Sequence, residues 1–349
     1  KMLKRPVKFV ADRLESFVTD IHARDHRIKA KIGVKTDGTI TAFEIDDLTG
    51  IGPYSVYPRT SGIEANQVVS LVGGPYTCPN YRAQARVVFT NKNGMCQYRA
   101  VGHPIAVAVT EGLVELAAAK IGMDPLELRR RNLYADDAYP AQSAAGLKFE
   151  QLSHHEALAH LDTMMNYAGL RAEQAKLRKQ GIHRGIGFAS FIEVTNPSAA
   201  FYGVGGARIT SMDGATVKLD AQGRISVASG VTEQGQGAEA VLAQTVATAF
   251  GVPIEHVRVI TGDTDNTPYG GGTWASRAAG IGGEAAWQAG KALRGNVLAV
   301  AGAMLQAKPE TLDIRNGVVG DTASGAERLP LEELARVAYF RPDTLPAGI

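Results

Sequence analysis

The sequence has very few of the residues that hold iron–sulfur clusters and structural metal sites. Its 349 residues include two cysteines, Cys78 and Cys96, and these form no C-x-x-C motif. The chain alone therefore offers neither an iron–sulfur cluster nor a structural zinc site. Such low cysteine usage is typical of a reducing compartment, and we expect a cytoplasmic protein. The periplasm stays open, because a targeting segment could lie outside this sequence.

Charge and apolar content exclude two further classes of protein. The net charge is only +2 and aromatic residues make up 7% of the chain, so binding to nucleic acid is not predicted. No apolar run reaches the roughly 18 residues of a membrane span, and the first residues lack the apolar core of a signal peptide. The sequence begins at Lys1 and ends abruptly at Ile349. We therefore expect an internal piece of a longer polypeptide or one half of a split subunit.

Two familiar phosphate-binding motifs are missing as well. The sequence contains neither G-x-x-x-x-G-K-[ST] nor G-x-G-x-x-G in a βαβ unit with an acidic residue about 20 positions later. A P-loop or Rossmann site is therefore not expected. In their place stand two glycine-rich loops, each before a predicted helix: "VTEQGQGAEAV" from Val231 to Val241, and "GGGTWASRAAGIGG" at 270–283.

The first glycine-rich loop indicates an anion-binding helix start. The first turn of a helix presents up to four backbone N–H groups without helical partners, and the helix dipole favours negative charge there. Glycine at 235 and 237 removes Cβ atoms, so that a ligand could contact the backbone, while the amide of Gln236 can donate and accept. The second loop adds hydroxyls at Thr273 and Ser276. We expect both loops to grip an extended anionic cofactor, the alternative being that they are only tight turns.

The order of elements predicts an α+β protein of two-layer subdomains with mixed or antiparallel sheets. Hairpins are predicted on Asp37-Gly38, Gln222-Gly223 and Asn316-Gly317, and single helices separate them. We predict a first domain at 1–181, ending in a helical extension, and a second at 182–349 that carries the glycine-rich loops.

The histidines give no recognisable metal-ligand spacing. His22 and His26, and the group of His154, His155 and His160, lack a third ligand at a typical distance in sequence. We interpret both groups as surface or capping residues and predict no direct metal ligand in this chain.

Three ordered motifs resemble one known family. They are "RPVKFVADRLESF…HARDH", "QYRAVGHP…DPLELRRRN" and the long stretch that begins "TEQGQGAEAV" and ends "GGGTWASRAAGIGGEA". Together they are similar to the molybdopterin-binding large subunit of the xanthine oxidase, aldehyde oxidase and aerobic carbon monoxide dehydrogenase family of molybdenum hydroxylases. The resemblance covers nearly the whole chain, and the motifs occur in the family's order.

At matching positions the resemblance implies a cofactor site and a catalytic arginine. Arg99 is placed on the loop beside the molybdenum. The implied cofactor is a molybdopterin carrying molybdenum, possibly as its cytosine dinucleotide. The implied cofactor-binding residues are Gln234, Gly235, Gln236, Gly237, Thr273, Ala275, Ser276 and Ala278.

The same resemblance implies the reaction and the partners. The family hydroxylates an electron-poor carbon with oxygen from water, and its electrons leave through iron–sulfur clusters and FAD. With two cysteines, this chain needs those acceptors on a flavin-containing medium subunit and an iron–sulfur small subunit, or equivalent domains. The rest of the large subunit is also expected as a partner, and a heteroaromatic compound or an aldehyde as substrate.

Departures from the family pattern restrict the substrates and the catalytic residues that we expect. Aerobic carbon monoxide dehydrogenases carry a reactive cysteine directly after the arginine, where this chain has Ala100, so carbon monoxide is not the expected substrate. Val101 and His103 are expected to face or flank the substrate pocket together with Ala100. The family's glutamate base, in a "GxGE" segment, is not in this sequence. Glu233 matches a position that serves the loop, and Glu284 is expected at a helix start.

Two other classes of function stay open from the residues alone. One is a non-catalytic anion- or nucleotide-binding module of the same fold. The other is a structural or interaction domain whose glycine-rich loops are only turns. Molybdenum and phosphorus content separates all three readings, since the binding module predicts phosphorus without metal and the structural domain predicts neither.

Overall fold

The computed structural model describes residue 5 and residues 8–56, 60–196 and 212–349. The chain divides into two compact units, Lys1–Glu193 and Val194–Ile349. The sequence-based division at residue 181 lies inside the first unit, and that domain assignment stays a prediction. Residues 6 and 7 of the first family-like motif lie outside the described residues. Within the described part of the chain, no helix has both the length and the apolar character to cross a bilayer.

The first unit is built around a three-stranded sheet with helices packed on it. Strands β1 and β2 are antiparallel, whereas β2 and β3 are parallel and are connected through a helix. The predicted hairpin on Asp37-Gly38 joins β1 to β2. The elements in chain order are α1 (Arg13–Thr19), β1 (His26–Val34), β2 (Ile40–Gly50), α2 (Ile63–Leu71), β3 (Tyr81–Val88), α3 (His103–Ile121), α4 (Pro125–Asn132), β4 (Ala141–Gln142), β5 (Lys148–Phe149), α5 (His154–Met165) and α6 (Tyr167–Arg178).

One face of β2 forms the centre of the first core. Phe43 and Ile45 are each 1% exposed, and the period-2 alternation of the strand keeps the residues between them at the surface of the sheet. Helix α2 contributes Val68 and helix α3 contributes Val114, both fully buried. Burial of an aliphatic side chain of this size contributes about 1.5–3 kcal/mol, so this apolar face fixes the register of the hairpin.

The residues of the "DPLELRRRN" motif make the polar contacts that hold helices α3 and α4 in place. Asp124 caps helix α4 by accepting a 2.8 Å hydrogen bond from the Leu126 N–H, and Pro125 occupies the first helical position. The buried Arg129 Nε donates to Glu111 Oε2 of α3 at 2.8 Å. Asn132 Oδ1 accepts from the backbone N–H at the start of β2 at 2.8 Å. The motif therefore fastens α3 and α4 to the sheet.

The second unit repeats the order of elements that begins the sheet of the first unit. A hairpin turns at Gln222-Gly223, a helix follows, and the third strand runs parallel to the second. A separate antiparallel sheet has the strand order β11-β10-β9. The elements are β6 (Ala215–Leu219), β7 (Ile225–Ser229), α7 (Ala238–Phe250), β8 (Val257–Ile260), α8 (Gly283–Leu305), β9 (Leu312–Arg315), β10 (Val318–Asp321), β11 (Glu327–Pro330) and α9 (Leu331–Phe340).

Helices α7 and α8 pack closely over the sheet of the second unit. Val246 and Phe250 of α7 are fully buried in a cluster with Val227 of β7. A Cβ added at Gly290 of α8 would lie 3.1 Å from the Cβ of Ala249, so this glycine permits the close approach of the two helices. The α+β class with small mixed and antiparallel sheets is confirmed.

Candidate functional site

The loop between β7 and α7 is organised around the side chain of Glu233. Its Oε1 accepts hydrogen bonds from the N–H groups of Gly235 at 2.7 Å and Gly237 at 3.0 Å, and its Oε2 accepts from the N–H of Glu239 at 3.1 Å. These bonds, first of all the one from Glu239, hold the pKa of the Glu233 carboxyl below its ordinary value.

This geometry corrects the prediction of a bare helix start. Part of the backbone donor set that the sequence analysis assigned to a cofactor is taken by the chain's own carboxylate. Glu233 serves the loop, as its sequence position indicated, and it acts as a built-in anion at the positive end of α7. A ligand bound at the start of α7 would contact a loop whose conformation is fixed by the hydrogen bonds of Glu233.

The two glycines of this loop leave its outer side open. Gly235 and Gly237 have φ angles of +88° and +84°, in the left-handed region that favours glycine. A Cβ at either position would meet no atom of the described residues within 4 Å. The space beside both glycines is therefore available to a ligand that approaches the backbone, and the exposed Gln234 lies next to it.

The two glycine-rich loops are in direct contact through Thr273. Its hydroxyl accepts from the Thr232 N–H at 2.8 Å and donates to the Thr232 carbonyl at 2.7 Å. The side-chain amide of Gln234 donates to the Thr273 carbonyl at 3.2 Å. The residues that the sequence assigned to one cofactor site are thus brought together within the second unit.

Backbone strain marks the second loop. Ala275 and Ser276 have φ angles of 51° and 55°, which cost non-glycine residues of order 1–3 kcal/mol each and are concentrated at ligand sites. Ala278 then begins a π-helical turn, Ala278–Gly282, that leads into α8. Such turns are frequent at functional sites. Strain and irregular helix geometry coincide where the cofactor residues were predicted.

The predicted catalytic and pocket residues Arg99, Ala100, Val101 and His103 belong to the first unit. Arg99 is exposed, and its backbone carbonyl accepts a short hydrogen bond from Nη2 of Arg24. Ala100 has a φ of 64°, so it turns the chain sharply just before α3. His103 is 8% exposed and its Nδ1 lies 2.9 Å from the Val101 carbonyl.

The space beside His103 is small. The cavity there, which Thr110 and Ile192 also line, has a volume of about 10 Å³, room for about one water molecule. It is too small for a heteroaromatic ring. His103 therefore contributes to the packing under the loop, and the assignment of a pocket role to it stays a prediction.

Sequence reasoning missed a buried charged group beneath this loop. The side chain of His26 is 3% exposed and lies between Asp47, 3.0 Å from Nδ1, and Glu64, 3.9 Å from Nε2. The interpretation of His26 as a surface or capping residue is therefore wrong. One signal was available: Asp47 continues the inward face of β2 after Phe43 and Ile45, where an apolar residue is the norm.

The two carboxylates change the ionisation of His26. Burial lowers the pKa of the imidazole, but the hydrogen bonds to Asp47 and the charges of Asp47 and Glu64 together raise it from 6.5 to about 9. The imidazole is therefore charged at neutral pH. Within the described part of the chain, no group of three or more His, Cys, Asp and Glu side chains could hold a metal ion.

The loops of the second unit fit an extended polar cofactor such as a pterin with phosphate groups. They combine left-handed glycines with open space beside the backbone and strained small residues in the second loop. The Gln236 amide is bonded to its own loop, since its Nε2 donates to the Thr232 carbonyl at 3.2 Å and its Oε1 accepts from the Gln234 N–H at 2.6 Å. The donor chemistry is that of backbone N–H, amide and hydroxyl groups, which suits a ligand rich in polar edges.

Family models match both parts of the chain. Molybdopterin cofactor-binding domain models match residues 1–133 and residues 160–348. The chain belongs to the molybdopterin cofactor-binding domain family. The family predicted from the sequence motifs is thereby confirmed.

The relatives include the large subunits of two enzymes and one solved oxidoreductase structure. The chain is 31% identical to the nicotine 6-hydroxylase large subunit of Paenarthrobacter nicotinovorans, over 100% of this chain and 42% of that protein. It is 29% identical to the carbon monoxide dehydrogenase large chain of Hydrogenophaga pseudoflava, over 100% of this chain and 43% of that one. Quinoline 2-oxidoreductase from Pseudomonas putida 86 superposes with a TM-score of 0.88 at 32% identity, over 99% of this chain and 44% of that one. The chain thus spans less than half the length of these relatives.

Proposed function

We propose that this chain is part of the cofactor-binding large subunit of a molybdenum hydroxylase, which hydroxylates a carbon of a heteroaromatic or aldehyde substrate with oxygen from water. The observation that carries the proposal is the contact between the two glycine-rich loops, open on their outer side and strained at Ala275 and Ser276, in a chain of the molybdopterin-binding family. When bound, the cofactor supplies the two-electron oxidation and the oxygen transfer.

Three segments of the chain have separate proposed roles, two in cofactor binding and one in catalysis. We assign binding and orientation of the cofactor to the Gln234–Gly237 segment and to residues Thr273 to Ala278, whose conformation is fixed by the hydrogen bonds of Glu233, Gln236 and Thr273. We assign Arg99 the catalytic role that its place in the "QYRAVGHP" motif implies, since a planar guanidinium can present fixed donors to a substrate. The left-handed turn at Ala100 directs the following residues back toward α3.

Among the two substrate classes, the relatives favour a heteroaromatic compound. Nicotine 6-hydroxylase and quinoline 2-oxidoreductase, at 31% and 32% identity, act on compounds that contain a nitrogen heterocycle. Ala100 provides no thiol at the position that the carbon monoxide enzymes use.

An FAD-containing subunit and an iron–sulfur subunit complete the proposed enzyme, and the cytosine dinucleotide is a candidate form of the pterin.

The test uses the complete enzyme isolated from its native source. We expect stoichiometric molybdenum and, with a dye acceptor in water labelled with oxygen-18, incorporation of the label into a hydroxylated heteroaromatic product. Quinoline and nicotine serve as heteroaromatic probes and benzaldehyde as the aldehyde probe. Phosphorus without molybdenum would instead support a non-catalytic binding module. Absence of both phosphorus and molybdenum would support a structural domain. If the oxygen in the product came from molecular oxygen and not from labelled water, the proposed reaction would be contradicted.

A further inference from the structure

The buried group around His26 is connected to the proposed catalytic loop by two separate paths. Through the first, Glu64 Oε1 lies 3.4 Å from the backbone N of Gly102, which precedes α3. Through the second, the Arg24 guanidinium donates to the Arg99 carbonyl. Arg24 and Glu64 also face each other, with Nε and Oε1 3.8 Å apart. The two paths therefore share one ion pair.

His26 determines where Glu64 sits. Its Nδ1 is held by both oxygens of Asp47 at 3.0 Å and lies 3.1 Å from the Thr49 hydroxyl, so the ring cannot turn freely. Its Nε2 then faces Glu64 Oε2 at 3.9 Å, a distance of ion pairing rather than hydrogen bonding. The Glu64 side chain is only 4% exposed, and a carboxylate so deeply buried needs compensating positive charge.

Arg24 is itself held in an unusual conformation. Its φ is 70°, in the left-handed region, and its guanidinium lies 5.5 Å from the centre of the Tyr98 ring. A strained residue persists only where its surroundings fix it. Here the fixing contacts are Glu64, Tyr98 and the Arg99 carbonyl, of which the last belongs to the Arg99–His103 loop and Tyr98 directly precedes it.

We propose that His26, Glu64 and Arg24 are positioning residues that hold the Arg99–His103 loop in its working conformation. The inference rests on the proposed function, since it assigns the loop a place beside the reacting centre. Positively charged His26 and Arg24 together balance the carboxylates of Asp47 and Glu64, and Oε1 of Glu64 faces the Gly102 N–H. If His26 loses its charge, the carboxylate cluster is under-compensated and the loop is released.

The charged and titratable groups around the imidazole come from each neighbouring element. Asp47 lies on β2, Glu64 in the first turn of α2, and Arg24 before β1. The pKa of His26 is raised to about 9, so its charge is present across the neutral range and is lost through the alkaline range. The positioning should therefore fail on the alkaline side.

The test measures hydrogen exchange by mass spectrometry in the complete enzyme. We compare the segment 97–104 with the segment 112–121 in the same unit, for the wild type, His26→Gln and the control His160→Gln, whose residue is exposed. We expect exchange of 97–104 to rise about tenfold in His26→Gln, the effect of weakening one charge-assisted hydrogen bond, with 112–121 and the control unchanged. An equal rise in both segments would make the group a general stabiliser and overturn the proposal.

The wild type provides a second measurement that requires no variant. After correction for the intrinsic pH dependence of exchange, opening of 97–104 should increase through about pH 9, where His26 titrates. Turnover should fall over the same range with molybdenum content constant. A flat profile for loop exchange would overturn the positioning role. An enzyme without molybdenum would instead contradict the proposed function, because the exchange measurement does not depend on the metal.

Discussion

The guanidinium of Arg277 pairs with the carboxylate of Asp213 at 3.2 Å, and both side chains are at most 1% exposed. Arg277 also donates to the carbonyls of Gly272 at 2.9 Å and Met212 at 2.7 Å. A Cβ at Gly270 would overlap the Asp213 carboxylate. This glycine therefore makes room for a buried ion pair, which in turn fixes the loop that carries the predicted cofactor residues.

The first prediction removes one partner of this pair. Arg277→Met leaves the Asp213 carboxylate buried without a counter-charge, which costs about 3–5 kcal/mol. The control Arg315→Met removes a pair with Asp313 in which the arginine is 69% exposed, so its effect should stay below about 1 kcal/mol. Urea unfolding of the two variants measures both values. Similar small losses would show that the buried pair does not stabilise the second unit.

The second prediction concerns the built-in anion at α7. Glu233→Gln loses the charge-assisted acceptor of several backbone N–H groups, so we expect a lower Tm and a reduced molybdenum content in the complete enzyme. The control Glu239→Gln removes the same charge from the same helix end without removing those bonds. If the two variants lose Tm and molybdenum equally, net charge rather than the loop bonds is responsible.

The effect of Glu233→Gln on Tm should depend on pH, because the pKa of Glu233 is lowered in the folded protein. A carboxylate whose pKa is lower in the folded state contributes stability above its unfolded pKa, about 4.5, and loses that contribution as the pH falls through the folded value. The Tm gap between Glu233→Gln and the wild type should therefore be present at pH 7 and shrink as the pH falls below about 4.5. Thermal unfolding at a series of acidic pH values checks this, and a gap independent of pH contradicts it.

The third prediction tests whether the open side of the first loop belongs to a ligand. Gly235→Val and Gly237→Val should abolish retention of molybdenum and pterin phosphorus while leaving most of the fold, since the new side chains meet no protein atom but occupy the approach to the backbone. Gly325→Val is the matched control, because Gly325 also has a positive φ, 70°, and open space around it. Cofactor content unchanged in the loop variants, or equally low in the control, would contradict the assignment.

Much of the fold could be predicted because it depends on local chemistry. The hairpins turn at Asp37-Gly38, Gln222-Gly223 and Asn316-Gly317, where each glycine, and Asn316 in the last turn, has a positive φ. Helix α4 begins at the Asp124 cap, because an aspartate followed by proline favours a helix start. By contrast, strand β11 was not predicted, since its four residues carry no alternating apolar pattern and gain their pairing from β10.

The candidate site was harder to predict because its supporting contacts are distant in sequence. His26 is 38 positions from Glu64, and Asp213 is 64 positions from Arg277. No spacing rule relates such residues. The sequence signal for the buried group was the polar Asp47 on the otherwise apolar face of β2. The glycines of the second loop were interpreted as a cradle for a ligand, whereas Gly270 and Gly271 lie against the buried pair.

The last prediction separates catalysis from cofactor binding at Arg99. In the complete enzyme, Arg99→Ala should lower kcat by at least about a hundredfold, the loss expected when a donor to developing negative charge is removed. Molybdenum content should change little, because the loops that would hold the cofactor lie in the second unit and the backbone carbonyl of Arg99 that anchors to Arg24 is retained. Arg99→Lys keeps the charge but not the planar pair of donors, so it should recover only part of the rate. Turnover, molybdenum content and hydrogen exchange of residues 97–104 are measured on all three proteins. Equal loss of molybdenum and turnover in Arg99→Ala, or a loop that exchanges as freely as in His26→Gln, would make Arg99 a structural residue of the loop and not a catalytic one.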